Sequence, residues 1–69
     1  MDSQKKIGKT LRKARKNLGL KQSDIAAKVG ITSNYYSMIE RGEIESPGTK
    51  NMMNIAKVLK LQSSDIFPI

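Results

Sequence analysis

Apolar residues recur at helical intervals in the first third of this 69-residue chain. Steps of three or four residues predict a helix over about residues 4–18, and Gly19 suits the left-handed position beyond its end. The remaining surface of this helix is mostly basic. A basic amphipathic helix is also typical of a membrane surface, but this stripe is narrow and lacks aromatic residues, which favours core packing. The stripe consists of Ile7, Leu11, Ala14 and Leu18.

Two shorter helices are predicted next, with a three-residue turn between them. The second runs from Gln22 to Val29 and is followed by Gly30. The third begins after Thr32, which suits an N-cap, and Gly42 closes it. The inner faces are predicted to be Ile25, Ala26 and Val29 in the second helix, and Tyr36 and Ile39 in the third.

The adjacent pair Tyr35 and Tyr36 is divided by helical geometry. Neighbouring residues on a helix point about 100° apart, so the two rings are expected to have different environments. Tyr36 shares the inward face of Ile39, and its hydroxyl is expected to reach the surface. Tyr35 is predicted to point away from the core.

A fourth helix is predicted over about residues 49–60, after a loop over residues 43–48 that contains a proline. A short fifth element follows, capped by Ser63 or Ser64, with Ile66 and Phe67 turned inward. The core face of the fourth helix is predicted to be Met52, Met53, Ile55, Ala56 and Leu59. No segment shows the alternation typical of β-strands, so we expect an all-α, compact five-helix bundle in a single domain over residues 1–69.

The segment from Gln22 to Ile39 has the spacing of a helix-turn-helix motif. Ala26 is small where the third helix is expected to cross closely. Gly30 tolerates a left-handed backbone without a steric cost. Four apolar residues meet the remaining requirement, which is to hold the two helices at a fixed angle: Ile25, Val29, Tyr36 and Ile39. All six positions meet the requirements of the motif at once, and this joint pattern is more specific evidence than a lone glycine between two helices.

Charge is segregated at one end of the chain. The formal net charge is +7, and residues 1–21 contain eight Lys or Arg against Asp2 alone. Residues 22–69 are neutral overall. A basic surface of this kind favours a polyanion such as nucleic acid, although a solvated lysine-rich helix face would give the same pattern.

Several function classes are excluded by what the sequence lacks. Cysteine and histidine are both absent, so the chain has no thiolate nucleophile, no imidazole base and no Cys or His metal ligand. No apolar run approaches the length of a membrane span. We expect a cytoplasmic protein that is not an enzyme and needs no cofactor, metal or small-molecule ligand.

Beyond these residue-level inferences, the chain resembles a known family. The stretches "LGLKQSDIAAKVGI", "SMIERG" and "IAKVL" are similar to those of the Cro/repressor-type (Xre-type) helix-turn-helix domain, over about residues 7–67. The resemblance implies the lambda-repressor-like fold, with double-stranded DNA as the partner and residues of about 33–41 in the major groove. It therefore implies a sequence-specific transcriptional regulator.

Site residues also follow from the resemblance. The positions expected to contact bases are Ser33, Asn34, Tyr35, Ser37 and Met38. Those expected to contact phosphate are Lys13, Lys21, Gln22, Thr32 and Lys50. Arg15 and Glu40 match a partly buried ion pair between the first and third helices. Asn34 is the best candidate for direct readout, because an amide can pair with adenine through two hydrogen bonds.

Three features depart from this pattern or leave alternatives open. Lys21 stands where relatives have a Ser or Thr N-cap, and Glu43 and Glu45 place negative charge after the third helix. Tyr35 could face the DNA or lie over the junction of helices one and three.

A homodimer is expected, and its surface is predicted in the C-terminal segment, at Leu61, Ile66, Phe67 and Ile69. The alternative is that Leu61, Ile66 and Phe67 cover the core, which leaves only Ile69 exposed. The alternative function is a protein-interaction module, bridging or antitoxin-like, with weak nonspecific DNA binding.

Overall fold

Five helices account for most of the computed structural model, which describes residues 2–44 and 47–66. They are α1 (Asp2–Asn17), α2 (Gln22–Val29), α3 (Ser33–Glu40), α4 (Thr49–Val58) and α5 (Ser63–Ile66). No strand occurs within these residues, and the all-α prediction is confirmed. The predicted ends differ in three places, since α1 begins at Asp2 and ends at Asn17, and α4 ends at Val58.

The core lies where the five helices meet. Helix α3 packs against α1 and α2, α4 packs against α2, and α5 closes the bundle against α1 and α4. The largest fully buried side chains are Leu11, Ile25, Tyr36, Ile55 and Ile66. Each of the five helices supplies one of them, so α3 is fixed by apolar contacts with its neighbours rather than by its own propensity, which is low for eight residues.

Two residues predicted for the core are exposed instead. Leu18 is 39% exposed because α1 ends at Asn17, so Leu18 lies in the following turn and leaves the helical register. Met53 is 48% exposed. Its neighbour Met52 is buried, and a residue one step along a helix points about 100° away. The predicted apolar arc of α4 was therefore too wide.

The crossing of α1 and α3 depends on two glycines. Gly8 is buried, and a Cβ atom at this position would lie only 2.8 Å from the carbonyl carbon of Glu40 and overlap its oxygen. Gly42 has φ +74°, and a Cβ there would lie 2.9 Å from the Cα of Lys5. The backbones of the two helices therefore approach to a distance that no side chain at Gly8 would permit.

The turn of the helix-turn-helix motif has the predicted left-handed residue. Gly30 has φ +87°, and the amides of Gly30 and Ile31 both donate to the carbonyl oxygen of Ala26. This arrangement satisfies the Ala26 carbonyl group, which the end of α2 would otherwise leave unpaired. Ala26 is 2% exposed, which agrees with close packing at this position.

The C-terminal helix α5 is part of the core. Ile66 is 1% exposed, so its side chain is not available as the dimer surface predicted for it, and Leu61 is half-buried. The predicted serine cap is also wrong, because Ser63 and Ser64 both lie inside α5. The carboxylate of Asp65 instead accepts a hydrogen bond from the amide of Gln62 at 2.9 Å. Phe67 and Ile69 lie outside the described residues.

Candidate nucleic-acid interface

A hydrogen-bonded ion pair links α3 to α1. Arg15 Nε donates to Glu40 Oε2 at 2.7 Å, and Arg15 Nη2 donates to Glu40 Oε1 at 3.2 Å. Gln22 Nε2 donates to the same Oε1 at 3.1 Å, and Arg15 Nη1 donates to the carbonyl of Leu20 at 2.9 Å. One carboxylate at the end of α3 therefore receives donors from α1 and α2. The pair implied by the family resemblance is present.

Burial and hydrogen bonding act in opposite directions on Glu40. Burial by itself raises the pKa of this carboxyl, but the donors, led by Arg15, outweigh it and leave the pKa lowered. Burial also raises the pKa of Tyr36, and the neighbouring Glu40 carboxylate adds to that effect. The Tyr36 hydroxyl is buried, contrary to expectation. It lies close enough to Glu40 to interact electrostatically, yet within the described residues it meets no partner at hydrogen-bonding geometry.

The first turn of α3 presents polar side chains to solvent. Thr32 is its N-cap, and the hydroxyl oxygen accepts from the amide of Tyr35 at 3.0 Å. Ser33 and Asn34 follow and are both exposed. Asn34 Nδ2 donates to the sulfur of Met38 at 3.8 Å, one turn further along the same face. Asn34 and Met38 therefore form a contiguous strip at the surface.

A second strip runs beside it and includes a residue that sequence reasoning missed. Ser37 is half-buried, and its hydroxyl accepts from Arg41 Nη1 at 2.9 Å. Arg41 Nε and Nη2 donate to the two oxygens of Glu43 at 2.8 and 3.2 Å. The steps from Ser33 to Ser37 to Arg41 are each four residues, so helical spacing was the signal that could have identified Arg41. Three of its five N–H donors are used in these contacts, which leaves two.

Tyr35 lies towards the loop between α3 and α4. Its ring is half-buried against the core, and its hydroxyl donates to the carbonyl of Pro47 at 3.5 Å. Asn51 Nδ2 donates to the same carbonyl at 3.0 Å. The tyrosine therefore supports this loop, which differs from the predicted alternative at the junction of α1 and α3. A contact with a base remains a prediction.

The start of α2 is capped without a Ser or Thr. Lys21 precedes the helix, and its amide donates to Asp24 Oδ2 at 2.8 Å. Asp24 thus supplies the N3 half of a capping box, although no side chain at the N-cap accepts from the first-turn amides, and Lys21 is exposed at the helix N-terminus. Gln22 is half-buried, and its amide is engaged with Glu40, so a phosphate contact would use the donor that remains on its Nε2.

The remaining predicted phosphate contacts are Lys50 and Lys13. Lys50 is exposed in the first turn of α4. Lys13 is exposed on α1, and its position two residues before Arg15 turns it about 160° away from the side chain that meets α3. The structure therefore brings the α2 and α3 candidates together but does not place Lys13 beside them.

Other kinds of site find no support in the residues that the structure describes. They include no group of three or more His, Cys, Asp or Glu residues that could hold a metal ion. None of their helices is long and apolar enough to cross a membrane. What the arrangement offers is a helix with exposed amide, hydroxyl and guanidinium groups, beside a helix N-terminus that carries a lysine.

Comparison with known proteins identifies the family. A search of curated proteins and a search of solved structures each gave no match. A family model described as helix-turn-helix matches residues 11–66, which include the whole of α2, α3, α4 and α5. Members of this family bind DNA and are typically not enzymes. The chain therefore belongs to the helix-turn-helix family of the Cro/repressor (Xre) type.

Proposed function

We propose that this protein is a sequence-specific transcriptional regulator that inserts α3 into the major groove of double-stranded DNA. The observation that carries the proposal is the pair of polar strips on α3. Apart from the apolar Met38, their members show amide and hydroxyl groups on α3 and a guanidinium group at its C-cap, and the opposite face of α3 is anchored in the core. The strips are Ser33, Ser37 and Arg41, and beside them Asn34 and Met38.

Direct readout is assigned to the first two turns of α3, with Asn34 as the main candidate. In this motif the N-terminal residues of the recognition helix meet base edges, while the preceding helix crosses the backbone. Asn34 is exposed, and its contact with Met38 Sδ at 3.8 Å is weak enough to be exchanged for an adenine. Met38 offers an apolar contact to a thymine methyl group. Ser33, Ser37 and Tyr35 complete the proposed base-contacting set.

Phosphate contacts are assigned to the basic and polar groups around α3. Lys21 and Gln22 stand at the N-terminus of α2, where backbone amides and the helix dipole already favour anions. Thr32, Lys50 and Lys13 are the further proposed contacts. Arg41 joins this group, since two of its N–H donors remain available beside Ser37.

A homodimer is the proposed form on DNA. The longest principal extent of the chain is 27 Å, whereas half-sites one helical turn apart lie about 34 Å from centre to centre. One copy therefore covers a single half-site, and two copies are needed for a palindrome. With Ile66 buried, the proposed contact involves Leu61 and the residues beyond α5.

Selection from a pool of random duplexes tests the proposal. We expect a palindromic consensus. We also expect the affinity to fall steeply with salt: the slope of log K against the logarithm of the salt concentration should be about −0.9 for each phosphate neutralised. Asn34→Ala should relax the preference at one base position in each half-site, at a cost of about 1–3 kcal/mol. Lys21→Ala is the matched comparison, and it should weaken binding to all sequences alike.

The outcome also discriminates the alternative function. If selection enriches no sequence, and Asn34→Ala and Lys21→Ala act alike, the regulator proposal fails. The protein-interaction module with nonspecific DNA binding would then be the better explanation. Sedimentation with and without the selected duplex provides an independent measurement of whether one or two copies bind.

A further inference from the structure

A surface groove lies away from α3, where the C-terminal ends of α2 and α4 meet the turn after α1. Its volume is about 350 Å³, and it opens to solvent. Three apolar residues form its floor and two lysines its rim: Leu18, Leu20, Val58, Lys28 and Lys60. The floor includes Leu18, one of the two large apolar residues that are exposed among the described residues.

Both rim lysines are unpaired within the described part of the chain. The ion pairs found there are Arg15 with Glu40 and Arg41 with Glu43, and neither involves the groove. No acidic residue among those that the structure describes lines the groove. Apolar surface framed by two ammonium groups is complementary to a segment that combines apolar side chains with carboxylates.

The backbone at Lys60 gives a second, independent reason to single out this groove. Lys60 has φ +60° and is the only described residue other than glycine with a positive φ. Glycine would adopt this conformation without steric cost, as it does at Gly30. Backbone strain retained at a non-glycine residue often marks a functional position, and Lys60 lines the groove.

The groove is distinct from the proposed DNA contacts. No residue of α3 lines it. On α2, Lys28 lies six residues after Gln22, which places it about 9 Å further along the helix axis, at the opposite end from the proposed phosphate contacts. A partner bound in the groove would leave the polar strips of α3 exposed.

We infer that this groove is a docking site for an acidic amphipathic segment of another protein. Apolar side chains of that segment would lie on Leu18, Leu20 and Val58, and flanking carboxylates would pair with Lys28 and Lys60. The groove is at the small end of the volumes of about 300–1,000 Å³ typical of ligand sites, and its open shape suits a chain segment better than an enclosed small molecule.

The probe is a synthetic peptide of about 14 residues, long enough to form an amphipathic helix, with leucine on one face and glutamate on the other. The matched peptide has lysine in place of every glutamate. We expect the glutamate peptide to bind at least about tenfold more tightly and to shift the amide NMR signals of Leu18, Leu20 and Val58. Unshifted groove signals, or equal affinity for the two peptides, would overturn the inference.

Charge-reversal variants locate the binding. Lys60→Glu and Lys28→Glu should each weaken the glutamate peptide by about tenfold or more. Lys57→Glu is the control, because Lys57 is exposed in the last turn of α4 but does not line the groove. Equal effects of Lys57→Glu and Lys60→Glu would mean a general charge attraction and would contradict a groove site.

Two further measurements exclude other occupants. Groove signals that shift with protein concentration in the absence of peptide would show that a second copy of the chain fills it. Binding to phosphatidylglycerol vesicles that Lys60→Glu abolishes, without any peptide binding, would show that it meets a lipid surface instead. DNA affinity is measured in parallel, and equal losses for Lys57→Glu and Lys60→Glu would separate the groove from the DNA contacts.

Discussion

Arg15 and Glu40 meet through two parallel hydrogen bonds, of 2.7 and 3.2 Å, across the boundary between α1 and α3. Their side chains are 12% and 3% exposed, so both charges are largely removed from water. Gln22 donates to the same carboxylate from α2. The Glu40 side chain is thereby tied to both helices that flank the proposed recognition helix.

Removing one member of this pair should be costly. Arg15→Met or Glu40→Met leaves a buried charge without its partner, and we expect each to lose about 3 kcal/mol of unfolding free energy. The double variant Arg15→Met with Glu40→Met should lose clearly less than the sum, since no unpaired charge remains. Urea denaturation of the four proteins measures the coupling energy, and a coupling near zero would contradict this account.

Local patterns predicted the helices and most of the core, whereas the Arg15–Glu40 contact between helices followed only from the family resemblance. Leu11, Ile25 and Tyr36 follow helical spacing, which is a local property, and all three are fully buried. Leu18 follows the same spacing but lies beyond the end of α1. The position of a helix end depends on competing turns, and periodicity alone does not report it.

Tertiary contacts and backbone geometry explain what the sequence did not reveal. Gly8 has no local signal, because its necessity arises from the carbonyl group of Glu40 on another helix. Lys60 carries no sign of a left-handed backbone, since glycine is the residue expected there. At the candidate site, the spacing of Ser33, Ser37 and Arg41 was visible, but only the structure shows that Arg41 is held by Glu43.

Gly8→Ala should destabilise the protein although it improves helix propensity. In an open helix this change would gain about 1 kcal/mol. Here the added methyl group would overlap the Glu40 carbonyl, and forced overpacking costs about 1–3 kcal/mol. Lys9→Ala, at an exposed neighbouring position, is the control and should change little. Thermal unfolding decides the sign, and a rise in Tm for Gly8→Ala would disprove the close crossing of α1 and α3.

The lowered pKa of Glu40 predicts a loss of stability in acid. The unfolded chain regains a glutamate pKa of about 4.3, so between the two pKa values the unfolded state binds more protons than the folded state. The contribution of Glu40 is therefore present above about pH 4.3 and lost as the pH falls through the folded value. Glu43 acts in the same direction, because its hydrogen bonds from Arg41 also lower its pKa.

Comparison with Glu40→Gln isolates this effect, since Glu43 is present in both proteins. Unfolding free energies measured from about pH 6 to about pH 3 should fall more steeply for the natural chain than for the variant. Parallel curves would mean that Glu40 is not held as a carboxylate by Arg15 and Gln22.

Lys60→Gly should stabilise the fold. The left-handed conformation costs a side-chain-bearing residue about 1–2 kcal/mol, and glycine escapes this cost but loses more backbone entropy on folding. We expect a net gain of about 1 kcal/mol in urea denaturation. Lys57→Gly is the control, because Lys57 lies within α4, where glycine is unfavourable. This variant should lose about 1 kcal/mol of unfolding free energy. If Lys60→Gly were also destabilising, the positive φ at Lys60 would be refuted.

Glu43→Gln should strengthen DNA binding without changing which sequence is preferred. The Arg41 guanidinium is paired with this exposed carboxylate, and an exposed pair of this kind contributes little to folding. Loss of the carboxylate frees Arg41 to contact a phosphate. The slope of log K for DNA binding against the logarithm of the salt concentration should therefore become steeper by about 0.9. Asp65→Asn makes the same charge change on α5, and its amide oxygen can still accept from Gln62. Equal gains in the two variants would assign the effect to net charge, whereas a gain confined to Glu43→Gln would place Arg41 at the DNA backbone.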